Sequence, residues 1–245
     1  MTAAWYAARL ALELGLDPLP YWAAGMLHDA AKPAARLRGA GEEELAGRVA
    51  WEILVELGHR GLAERVRAIL EGRDPWWTVV RDADTLAKLG FLGFAETVAK
   101  WVSRGLGSLD AVLSGAARQL TALHSLDQLL CTEPGRRLAH SLAPRLGEAL
   151  RGALEELKRL GIEVAEAEAG GIVLLVPRRC PRCGAPLETR VEESMSPGCS
   201  GIRVSARCSA CSWSLGYTVC PPRPCREGTG PTGCEPEARM DADKG

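Results

Sequence analysis

Two short stretches decide how the C-terminal part of the chain folds: Cys180-Pro-Arg-Cys183-Gly184 and Cys208-Ser-Ala-Cys211, two CxxC turns with 24 residues between them. Each CxxC turn aims two thiolates at one point, and two such turns complete the tetrahedral sulfur shell that zinc prefers. Gly184 suits the tight turn after the first pair, whose backbone N–H groups can bond the sulfurs. A redox CxxC is the rival reading, but it would not come in two copies flanked by short strands. The pattern predicts a small β-rich zinc ribbon over residues 170–220, held by Cys180, Cys183, Cys208 and Cys211 around one structural Zn2+.

Outward from these turns, the character of the chain changes at Gly170-Gly171. Ile172 to Val176 is a β-branched run, and Ile202-Arg-Val-Ser-Ala206 alternates like a strand. Residues 172–226 carry eight arginines against three glutamates, a balance of +5 that four thiolates and one Zn2+ bring to +3. With Trp213 and Tyr217 read as exposed, such a ribbon could hold nucleic acid by phosphate contact and stacking. The plainer reading is a unit that needs metal to fold because its own core is too small. Residues 221–245, rich in Pro, Gly and charge, read as a flexible tail.

The chain has nine cysteines: Cys131 stands alone and the other eight lie between 180 and 234. In a reducing compartment such a cluster suggests metal rather than disulfides. Cys199, Cys220, Cys225 and Cys234 lack paired spacing and receive no role.

Residues 1–165 read as a helical domain. Leu10, Leu14, Trp22 and Met26 frame a first helix pair broken at Asp17-Pro-Leu-Pro20, and Leu45, Val49, Ile53 and Leu57 recur at helical spacing up to Gly58. Leu62, Val66 and Ile69 continue the pattern to Gly72, Asp74-Pro-Trp-Trp77 breaks it as a packing corner, and residues 84–104 read as the next helix. After the apolar stretch 108–130, Thr132-Glu-Pro-Gly135 looks like a helix start with a capping Thr, and that helix runs to about Gly161 with a bend at Pro144. The fold class is therefore mainly α with a small β-rich ribbon.

A composition of 47% hydrophobic and 25% charged residues is that of an ordinary soluble globular protein, and the net charge of −1 excludes a polycation. No apolar run approaches the roughly 20 residues of a membrane span. The first residues lack the plan of a signal peptide. The expected location is cytoplasmic.

One stretch of the helical domain carries chemistry. Ala24-Gly-Met-Leu-His28-Asp29-Ala-Ala-Lys32 resembles the signature of the HD superfamily of metal-dependent phosphohydrolases, and Val80-Arg-Asp82-Ala-Asp84-Thr-Leu-Ala-Lys-Leu-Gly90 resembles the site of its later aspartate. Leu129 to Ala139 is similar to a helix start in its nucleotide-directed members, and the resemblance spans about residues 3–160. It implies an HD-type domain whose imidazole and carboxylates hold a divalent ion such as Mn2+, Co2+, Ni2+ or Mg2+ and activate water against a nucleotide or other phosphate ester. Carried over, His28, Asp29 and Asp84 would be metal ligands, with Asp82 the alternative to Asp84. Asp29, Lys32 and Asp82 would serve catalysis, Lys32 by meeting phosphate or a carboxylate.

The sequence also departs from that pattern. The superfamily's first histidine would fall near Ala3 or Ala4, and no histidine precedes His28. Either the start lies upstream or a ligand is lost, and losing one of four weakens binding. Two further histidine positions read Glu42-Glu-Glu44 and Glu71-Gly-Arg73. The competing function is thus a catalytically degenerate HD scaffold whose ribbon binds nucleic acid or a protein partner. His59 reads as a solvated helix-end residue, His124 and His140 lack a carboxylate at ligand spacing, Arg136 and Arg137 read as exposed charge, and Gly39-Ala-Gly41 is too short for a phosphate loop.

Overall fold

The computed structural model describes residues 2–32, 42–103, 105–196, 199–222 and 224–225. Their order is α1 (Thr2–Glu13), α2 (Pro18–Leu27), α3 (Glu42–Glu56), α4 (Arg60–Leu70), α5 (Thr78–Lys88), α6 (Phe91–Ser103), α7 (Ser108–His124), α8 (Leu126–Leu129), α9 (Glu133–Arg159), then β1 (Val164–Ala169), β2 (Ile172–Pro177), β3 (Leu187–Ser196), β4 (Cys199–Cys208) and β5 (Ser214–Val219). The class is mainly α with small antiparallel sheets toward the C-terminus. Gly39-Ala-Gly41, Arg104 and residues 226–245 of the expected flexible tail lie outside the described residues. Among the described residues, no helix is long and apolar enough to cross a membrane.

The chain divides into two compact units. The first, called the helical unit because its described elements are all helices, holds the described residues up to 88 together with 127–141 and 224–225. Asp17-Pro-Leu-Pro20 is here a helix start rather than only a break: Asp17 accepts the Leu19 N–H at 3.1 Å as the N-cap of α2, and proline is tolerated where helical N–H groups have no partner. Small residues let α1 and α2 approach closely. Ala3, Ala4, Ala7 and Ala11 are buried, and a Cβ on Gly25 would stand 2.8 Å from the Ala4 Cα. Helix α5 packs on both α1 and α2, which brings its residues to the C-terminal end of α2. The corner at Asp74 is pinned by its carboxylate, which accepts the Trp76 N–H at 2.8 Å and the Tyr21 hydroxyl at 3.0 Å.

One helix expected over 84–104 is two. Gly90 adopts φ +119, a conformation glycine reaches without strain, and it separates α5 from α6. Asp84 consequently lies well inside a helix that began at Thr78.

The second unit holds residues 89–126 and 142–222. Strand β1 was not legible, because Val-Ala-Glu-Ala-Glu-Ala is built of helix formers. It is a strand because it pairs antiparallel with β2 across Gly170-Gly171, both at positive φ as a type I′ hairpin turn requires. The apolar run of β2 is buried, and its other edge is closed by side chains. Thr121 Oγ1 accepts the Val173 N–H at 2.9 Å, while the Tyr217 hydroxyl accepts from Leu175 N at 3.0 Å and donates to Leu175 O at 2.5 Å. Tyr217 is therefore buried, correcting its expected exposure, and that burial pushes its phenol up to about 12. In the sheet β3-β4-β5, Val204, Ala206, Leu215, Tyr217 and Val219 point inward. Arg203 and Arg207 face Glu192 and Glu188 across the β3–β4 pair, so their charge is partly neutralised in place.

Three cysteines outside the two CxxC turns, Cys131, Cys220 and Cys225, are in disulfides. Cys131 is joined to Cys225. The lone position of Cys131 in sequence concealed a partner 94 residues away.

Candidate metal centres

The turn at Cys180 is set by local backbone bonds. Gly184 N donates to Cys180 O at 2.9 Å with Gly184 at φ +74, and Cys180 N donates to Ala185 O at 2.9 Å. At the second turn, Cys208 N donates to Trp213 O at 3.0 Å, and the Ala210 N–H points at Cys208 Sγ, 3.4 Å away. The two turns bring Cys180, Cys183, Cys208 and Cys211 together, with sulfur–sulfur distances of 3.7 Å (180–211), 3.4 Å (183–208) and 3.7 Å (183–211). A metal–sulfur bond of about 2.3 Å in a regular tetrahedron puts sulfurs about 3.8 Å apart. The spacing therefore fits one ion. Burial raises the Cys208 thiol, but the Ala210 N–H and the neighbouring thiols outweigh it and bring Cys208 down to about 7, while Cys183 is pushed up to about 12 despite the Ala185 N–H, because neighbouring sulfurs compete for charge. Ionising all four sulfurs at this spacing would require a cation between them, and the cluster can hold a metal ion.

The second site lies at the C-terminal end of α2. His28 is its C-cap, and Nδ1 is 2.8 Å from Gly25 O. A carbonyl only accepts, so Nδ1 carries the proton and Nε2 turns outward. Nε2 lies 3.2 Å from Asp29 Oδ1 and 3.6 Å from Asp84 Oδ1, yet it is buried and aligned with neither for a hydrogen bond. Each carboxylate also meets a lysine: Lys32 Nζ is 2.7 Å from Asp29 Oδ1, and Lys88 Nζ is 2.6 Å from Asp84 Oδ2. Burial works against a charged imidazole, but Asp84 and Asp29 outweigh it and hold His28 above its ordinary value. Burial likewise opposes ionisation of Asp84, but His28 and Lys88 hold it well below the usual carboxylate range. Two carboxylates facing one imidazole nitrogen call for a shared cation, either a proton or a metal. Among the described residues, the four cysteines are the only set of three or more ligands whose atoms all lie within 4.8 Å of one another, so the His28 cluster is the more open of the two.

Asp82 goes elsewhere. It is fully buried and accepts from Cys131 N at 2.8 Å, Thr132 N at 2.8 Å and Thr132 Oγ1 at 2.7 Å. Burial raises its carboxyl above the ordinary value, against those three bonds. Thr132 caps α9 as its sequence predicts, accepting the Gly135 N–H at 3.1 Å. Asp82 thus fastens the start of α9, with both carboxylate oxygens engaged.

The remaining candidates are also placed. His59 is exposed and caps α4 without a side-chain bond, and His124 is exposed in the last turn of α7. His140, expected to lack a carboxylate, has one: Nε2 is 2.7 Å from Asp127 Oδ1, brought near by the α8–α9 turn. Arg136 donates to Leu130 O at 3.1 Å and Cys131 O at 3.3 Å, and Arg137 pairs with Glu13 at 3.0 Å. Lys88 escaped the sequence reading, although its i+4 spacing from Asp84 on a helix was a usable signal.

No family model matches the chain, nor does any curated protein or solved structure. The likeness to the HD superfamily rests on the motif residues themselves.

Proposed function

We propose that the helical unit is an HD-type, metal-dependent phosphohydrolase acting on a nucleotide or other phosphate ester. One observation carries the reading: with Nδ1 held by Gly25 O, the imidazole Nε2 lies at ion-pair distance from both Asp29 and Asp84. His28, Asp29 and Asp84 would hold the ion. When bound, it would supply Lewis acidity toward the phosphoryl group and a nucleophile at neutral pH. Gly25 O orients the His28 ring, Lys88 fixes the second oxygen of Asp84, and Lys32 stands beside Asp29 where it can meet substrate phosphate. In the ribbon, the all-sulfur donor set makes Zn2+ the expected structural ion.

The test is hydrolysis of a panel of nucleotides and generic phosphodiesters with Mn2+, Co2+, Ni2+ or Mg2+, in the wild type and in His28→Ala. Activity lost in the variant supports the reading. An inert wild type with every ion sinks it.

A second reading has its own observation. The α1 backbone at Ala3 and Ala4 is packed tightly against Gly25, and α1 brings no imidazole to the site. A three-ligand site suits a degenerate scaffold, with the ribbon docking nucleic acid or a protein partner. Nucleic-acid binding that falls steeply with salt would favour it.

A further inference from the structure

The Cys131–Cys225 disulfide has a setting of its own. Residues 224–225 are tied to the helical unit by that bond and by two others: Arg81 Nη2 donates to Pro224 O at 2.8 Å, and Cys225 N donates to Gln128 O at 2.5 Å. Both cysteines are partly exposed, and both line an open cavity of about 460 Å3 together with Asp127 and Arg136. Cys131 directly precedes the Thr132 cap of α9, so the positive helix end and the Arg136 guanidinium both favour a thiolate there.

We propose that Cys131–Cys225 is a thiol–disulfide exchange site, opened from this cavity by a dithiol, whose reduction releases residues 224–225 from the helical unit. One thiolate of the dithiol attacks Cys225 Sγ, the S–S bond breaks, and Cys131 leaves as a thiolate that takes up a proton. The second thiol of the reductant then displaces Cys225 from the mixed disulfide. The reductant leaves as a cyclic disulfide, two electrons have passed to the cysteine pair, and both end as thiols. The bonds from Cys131 N and from Thr132 N and Oγ1 to buried Asp82 involve no sulfur, so the start of α9 stays fastened. After reduction residues 224–225 keep only the Arg81 and Gln128 bonds, made at an exposed and a half-buried residue where water competes for them, and the segment lets go. The inference does not depend on the helical unit being a hydrolase.

The experiment uses the full chain purified without reductant. Free thiols are alkylated, and non-reducing peptide mapping by mass spectrometry identifies the Cys131–Cys225 linkage. Short native exposure to dithiothreitol is followed by a second, isotopically distinct alkylation and by hydrogen exchange. The expected result is labelling of Cys131 and Cys225 by the second reagent, loss of protection around Cys225, and retained protection at 131–132. Cys225→Ser should lose the same protection with no reductant present. Finding both cysteines free at the outset, a linkage that resists dithiothreitol until the protein is denatured, or unchanged protection after reduction and in Cys225→Ser would each overturn the proposal.

Discussion

His28 Nε2 stands 3.6 Å from Asp84 Oδ1, a meeting produced by the packing of α5 against the end of α2. Asp29, beside His28 in sequence, reaches the same nitrogen at 3.2 Å. This convergence gives each of the two centres its own test.

Asp84→Ala removes a carboxylate from the His28 cluster and leaves the ribbon untouched. Elemental analysis after loading with Mn2+ should show the ion of the helical unit lost and the ribbon ion retained. Divalent affinity at the His28 cluster should fall at least tenfold. Equal metal content in the wild type and the variant would mean that Asp84 holds no ion.

Asp82→Ala separates a structural carboxylate from a catalytic one. It strands the N–H groups of Cys131 and Thr132 and the Thr132 hydroxyl, at a cost of about 3 kcal/mol. Thermal unfolding should shift down clearly while metal content in the folded protein is unchanged. A normal melting temperature with metal lost would reverse the assignment.

Gly25→Ala tests the closest helix approach. Its Cβ would meet the Ala4 Cα at 2.8 Å, backbone against backbone, so α1 and α2 must part. Overpacking of this kind costs about 1–3 kcal/mol. The Gly25 carbonyl moves too, so the imidazole resonances of His28 in NMR should shift along with the lowered stability.

Glu71 sets a pH dependence. Burial would raise its pKa, but Arg67 at 2.6 Å and Arg73 outweigh burial and hold it below its ordinary value. A lowered carboxylate pKa contributes stability that is present above the ordinary glutamate range and lost as pH falls through the folded value. Glu71→Gln should therefore be less stable than the wild type at neutral pH, and the gap should close in acid. A gap that persists at low pH would show that packing, not charge, carries the effect.

Removing the ribbon ion with a strong chelator should unfold β3–β5, because four sulfurs at 3.4–3.7 Å lose the cation that lets them share the site. Circular dichroism should lose strand signal, and readdition of Zn2+ should restore it. A strand signal indifferent to chelation would mean that the sheet stands on its own core.

The sequence by itself determined what short-range chemistry determines. Two CxxC turns each place a pair of sulfurs through their own backbone bonds, and Thr132 caps α9 through a bond from Gly135 N, three residues on. The helical class followed from composition and apolar period. Spacing could also have divided the two aspartates, since residues two apart do not share a helix face. Which one faces His28, however, depends on how α5 is rotated against α2, and only the tertiary structure decided that Asp84 does while Asp82 turns to Thr132. The same holds for β1, a strand by pairing and not by propensity, for the burial of Tyr217 against the β2 edge, and for the partner of Cys131. Tyr217 and Cys131 meet residues far away in the chain, and β1 takes its state from the strand it pairs with; in each, packing outweighs the local preferences a sequence displays.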